Sequence, residues 1–157
     1  MKLDYYQTKP SDDYLSFRFE SVSDTKTIKK MITFKPIPKG INFYNLAFGD
    51  LDEQDEMDDL MISNNADMEK VIATVIQSIF IFCQVNPTAL IYIEGSTPQR
   101  TRLYRIIINK EFETFRKDFE IFGMINTLVE PFSRNRPYTA FVVKRVTKMT
   151  FNYEKRS

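Results

Sequence analysis

In the stretch Ile91-Tyr-Ile-Glu-Gly-Ser-Thr-Pro-Gln-Arg-Thr-Arg-Leu-Tyr104 an apolar run stops at Gly95 and a helix-start signal follows, with Thr97 placed to cap and Pro98 at the first helical position. The amides of such a first turn have no intrahelical partner, and Arg100 and Arg102 add cations to a helix end that already carries positive partial charge. With Gly95 allowing close approach and the hydroxyls of Ser96 and Thr97 beside it, this is an anion cradle suited to a phosphate. The same residues also read as a capped strand-to-helix turn whose arginines pair internally with Asp50, Asp58 or Asp59. Asn64 and Asn65, just ahead of an earlier helix, are further polar candidates for the site. The turn lacks the lysine of a phosphate loop, which argues against an ordinary nucleotide triphosphatase.

Other chemistries drop out by composition. Histidine is absent, so an imidazole base and a histidine metal ligand are both excluded. The single cysteine, Cys83, sits in an apolar helical run; it cannot form an internal disulfide and reads as a small buried filler in a reducing compartment. Seven carboxylates crowd into Asp50–Asp59, a self-repelling run expected as a solvated loop. It fails as a calcium loop, because Asp55 stands where glycine is needed and Met61 where glutamate is needed. A formal charge of +1 gives no global pull toward nucleic acid or membrane.

These residues need a scaffold, and 157 of them suffice for one domain, with residues 1–12 and 150–157 as tails. Tyr14 to Val22, Thr27 to Phe34 and Ile41 to Phe48 have strand composition, joined by turn chemistry that suits an antiparallel meander. Met68, Val71, Ile72, Val75, Ile76, Ile79, Phe80 and Cys83 form a helical apolar stripe, with Asn64 as its cap and Asp67 in its first turn. Leu90 to Ile93 reads as a central strand covered on both faces. The helix from Pro98 follows, with a break expected at Asn109, and Phe119 to Leu128 and Thr139 to Val146 read as two last strands. The expectation is an α+β domain of order β-β-β-α-β-α-β-β, with a mixed, mainly antiparallel sheet and two helices on one face. No signal-peptide core and no apolar stretch of membrane-spanning length stand out, which predicts a cytoplasmic protein without a membrane partner.

The pieces Asn45-Leu-Ala-Phe-Gly-Asp50, Ser63-Asn-Asn65, Val71-Ile-Ala-Thr-Val75 and Gly95 to Tyr104 together resemble domain of unknown function 6934, a family of small bacterial proteins common in Bacteroidota. That resemblance brings no activity with it. The element order is also similar to the first part of the ribonuclease H fold. That likeness matches Glu20, Glu69 and Glu94 to its carboxylates and, with Asp50, implies a divalent-metal nuclease or phosphotransfer enzyme working through Mg²⁺. The chain departs from the pattern, with glutamate for the first-strand aspartate and no late aspartate in an obvious place.

Residues 131–157 interleave Arg134, Arg136, Lys144, Arg145, Lys148, Lys155 and Arg156 with aromatics. That composition suits nucleic acid, and equally an edge strand with solubilising charges. The leading expectation is a non-enzymatic binding or interaction module without a resident cofactor, its site at residues 95–102 taking phosphate, a nucleotide or a protein partner. The nuclease and a component of a toxin-antitoxin or phage-defence pair stand as alternatives.

Overall fold

The computed structural model describes residues 4–58 and 65–146. The elements are β1 (Lys9–Pro10), β2 (Ser16–Val22), β3 (Thr27–Pro36), β4 (Phe43–Leu51), β5 (Met57–Asp58), α1 (Met68–Val85), β6 (Leu90–Ile93), α2 (Pro98–Phe115), β7 (Phe119–Ile125), β8 (Leu128–Pro131) and β9 (Ala140–Arg145). The strands form one sheet in the order β1-β2-β3-β4-β6-β9-β7-β8, with β5 paired to the end of β4. Among the described residues only the β4–β6 pair is parallel. The expected class, the mainly antiparallel mixed sheet and the order of the long elements all hold.

Alternation along the strands selects one face for the helices. Phe17, Phe19 and Ser21 of β2, Lys30, Ile32 and Phe34 of β3, and Leu46, Phe48 and Asp50 of β4 are the buried phase. The apolar stripe of α1 covers them, and the Phe34 and Phe82 rings stack at 4.2 Å between centroids. Phe17 and Tyr44 meet that pair edge-on, joining three strands to the helix through aromatic contacts. By length and composition α1 could cross a membrane, contrary to the expectation above; here it is a core helix, with 56% of the stretch buried.

Two charged residues fall on the buried phase. Lys30 is fully buried and Asp50 is 5% exposed; they are direct cross-strand partners, with Nζ donating to Oδ1 at 2.5 Å. A lysine and an aspartate enter such a place only together, because either alone would be an uncompensated charge in a poorly polarisable interior.

Several boundaries differ from expectation, each for a local reason. β2 starts at Ser16 because Tyr14 takes a positive φ of 58°. The expected strand Phe119 to Leu128 is a hairpin, since Asn126 at φ 55° turns the chain and Leu128 returns to pair with Ile125. Helix α2 runs unbroken through Asn109, whose carbonyl and side-chain oxygens accept from Arg134 and from the Asn135 amide. β6 is covered on one face only, with Leu90 and Tyr92 half-buried on the other. The cap of α1 is Asp67, and its carboxylate accepts from the Tyr6 and Ser21 hydroxyls rather than from helix amides. Asn64, expected as that cap, lies outside the described residues. The start of the chain is anchored as well: the Tyr6 amide donates to Thr74 Oγ1 at 2.9 Å, and Lys70 lies 4.1 Å from the centre of the Tyr6 ring.

Asp50→Ala should cost about 3–5 kcal/mol, whereas Lys30→Met with Asp50→Leu should cost much less than the two single changes summed. A double-mutant cycle by denaturant unfolding reads this, and strict additivity would mean that the pair is not coupled. Burial pushes the Cys83 thiol up to about 11, with Arg145 opposing. Below the unfolded thiol value both states are neutral; as pH climbs from about 9 to 11 the unfolded chain ionises first, so stability falls. Cys83→Ala should remove that part of the alkaline loss, measured as unfolding free energy against pH.

Candidate functional site

β6 ends at Ile93, opposite Leu46, while β4 runs on, paired on its other side with β3, until β5 joins it at Asp50. The turn Glu94–Thr97 leaves the sheet in that gap and feeds α2. The site therefore lies at the carboxyl ends of the two parallel strands, beside a helix N-terminus, where α/β sheets commonly hold ligands. A cleft of about 180 Å³ opens there, lined by Asn45, Ala47, Phe48, Glu94, Gly95, Ser96 and Tyr104.

The turn is held by its own side chains. Thr97 is the cap and its hydroxyl accepts from the Arg100 amide at 3.3 Å, while Thr101 Oγ1 accepts from the Gly95 amide at 3.0 Å. A Cβ on Gly95 would stand 2.3 Å from the Thr101 nitrogen and 2.7 Å from Arg100 Cβ. What needs the bare glycine is thus the helix backbone packing onto the turn, not an approaching ligand.

Arg100 is half-buried. Its Nη1 donates to Ser96 Oγ at 3.2 Å and its guanidinium lies 5.8 Å from the centre of the Phe48 ring. Burial lowers its hold on the proton, which nearby Tyr104 and Asp50 oppose. No described carboxylate comes within ion-pair distance: Asp50 is engaged by Lys30, so the expected clasp of arginine on Asp50 is not formed, while Asp59 and the side chain of Asp58, the other expected partners, lie outside what the structure describes. Arg100 Nε is sealed from solvent and has no hydrogen-bond partner among the described residues. Tyr104, one turn along, is 2% exposed; it meets Phe48 edge-on at 6.3 Å, and its hydroxyl makes no hydrogen bond among the described residues. Burial raises its pKa, with Arg100 opposing.

Other expected site residues lie elsewhere. Arg102 is exposed, about 200° around α2 from Arg100. Asn65 is buried in a different cluster, donating to Ser21 and to the Lys26 carbonyl and accepting from Ser23 Oγ at 2.7 Å, so its hydrogen-bonding groups serve to close the β2–β3 hairpin. The carboxylates matched to a metal nuclease are scattered. Glu20 lies on the sheet face away from the helices, Asp50 on the helix side, Glu69 pairs with Lys110 at 3.3 Å, and Glu94 accepts from the Tyr92 hydroxyl at 3.2 Å. Among the described residues no three metal-binding side chains come together. Of the basic C-terminal set, Arg134, Arg136 and Arg145 are engaged by Glu113, Glu130 and the Cys83 carbonyl, and Lys144 is exposed. Lys148, Lys155 and Arg156 lie outside the described residues.

Tyr104 in the cleft and Lys30 in the core were not singled out by the sequence. The signal for Lys30 was its phase, since it shares the parity of Ile32 and Phe34. A model of a family of unknown function, DUF6934, matches residues 2–146. No curated protein and no solved structure matches the chain.

Gly95→Ala should lower stability by about 1–3 kcal/mol, the usual range for overpacking, read by denaturant unfolding. An unchanged midpoint would mean that the helix end can step back from the turn.

Proposed function

We propose that this chain, which belongs to the DUF6934 family, is a binding module that takes one small anionic group in the cleft between β4 and the turn 94–97. The observation that carries this reading is a buried, unfilled donor, Arg100 Nε, one helical turn from Tyr104, which lines the cleft. A buried donor left unmade costs about 1–3 kcal/mol, and an oxyanion accepting from it would recover it. Charge-assisted bonds from a partly desolvated guanidinium are also stronger than neutral ones.

Size and charge narrow the ligand. A cleft of about 180 Å³ has room for a carboxylate or a single phosphate. Glu94 at the rim repels a highly charged ligand, which favours a monoanion. A carboxylate, free or on an acidic side chain of a protein partner, is the class that fits best.

Thermal unfolding against a panel of acetate, succinate, phosphate and nucleotides tests this. A ligand at about 100 times its Kd stabilises by roughly 2.7 kcal/mol. Arg100→Ala should abolish the shift, Tyr104→Phe should weaken it, and Arg102→Ala should leave it intact. No shift with any anion, or equal loss in the Arg102 variant, would overturn the reading.

A further inference from the structure

The sheet carries both helices on one face, and the described residues leave most of the other uncovered. That second face is not uniformly polar. Register places Tyr92, Val142 and Phe122 side by side across β6, β9 and β7, all half-buried, with Phe43 touching Tyr92 edge-on and Met124 beside the row. The row forms an apolar belt across the middle of the face.

Charge lies at two opposite corners. At the β2–β3 corner Glu20 and Lys29 are direct cross-strand partners; at the β9–β7 corner Lys144 and Glu120 are. All four are exposed and none forms an ion pair among the described residues. The first corner also borders a groove of about 610 Å³ between Thr8, Lys9 and Asp55. Of the other charges on this face, Arg18 is paired with Asp55 at 3.6 Å, while Lys9 beside it and Lys35 farther along β3 are exposed.

We infer that this face is the interface of a homodimer, with a second copy of the chain as its occupant. The placement of the two corners favours self-association over another partner. Each corner carries one charge of each sign, so a second copy can meet both with opposite charge. The corners also exchange under a two-fold axis lying in the plane of the face along the other diagonal. That axis brings Lys29 of one copy to Glu120 of the other and Glu20 to Lys144, and sets the two sheets near a right angle, a packing that sheets adopt. The area suffices: seven strands at about 4.8 Å spacing and strands roughly 23 Å long give about 650 Å² of flat face, close to the ~800 Å² per partner of a standard interface.

Sedimentation equilibrium of the full chain at tens of micromolar tests it, with circular dichroism as a check on folding. The expected result is twice the monomer mass for the unaltered chain and monomer for Val142→Glu. Lys29→Glu and Glu120→Lys should each weaken association at least tenfold, and the two combined in one chain should restore it. A folded, monomeric unaltered chain overturns the inference. So does a dimer indifferent to Val142→Glu, or a double variant no better than the singles.

Discussion

The ion pair between Lys30 and Asp50 is the constraint on which the upper end of the sheet depends. A buried pair of this kind seldom adds net stability, because the desolvation of two charges about cancels their attraction. Its effect is on which arrangement is allowed. A slip of one residue between β3 and β4 would turn one of the two charges to the opposite face and leave the other buried without its partner. The pair therefore fixes the register of the two strands at the point where β4 outruns β6, and that overhang is one wall of the cleft.

It also decides what happens to Arg100. Had Asp50 been unclaimed, the nearest resolution for a half-buried guanidinium would have been an internal salt bridge, and the turn would be a clasp. Because Lys30 holds Asp50 at 2.5 Å, the arginine feels that carboxylate only at longer range and rests instead on Ser96 and the ring of Phe48. The tight packing of Gly95 on Thr101 then fixes the first turn of α2, so Arg100 and Tyr104 are presented by a rigid element rather than a loop.

Much of the fold was legible because period and punctuation agreed. The stripe of α1, the Thr97-Pro98 start of α2 and the meander turns each carry one local signal that tertiary structure did not override. What was not legible was partnership. Arg100 and Arg102 look equivalent in sequence, and only the helical phase separates them by about 200°. Asn65 looks like a ligand residue and proves to be a hairpin tie, since its partners Ser21 and Lys26 lie some forty residues away. The turn at Asn126 was missed because Asn-Thr lacks the glycine that usually marks a two-residue hairpin. The carboxylates borrowed from a nuclease pattern failed for a reason of parity: Glu20 and Asp50 sit on opposite faces of one sheet, a separation that matching by element order does not register.

The cleft and the open sheet face are not independent surfaces. Asn45 and Ala47, which line the cleft, belong to the phase of β4 that faces away from the helices, as Tyr92 does on β6. A body seated on that face would lie across the mouth of the cleft and change the solvation of whatever Arg100 holds. By linkage, any effect of association on anion affinity must return as an equal effect of the anion on association.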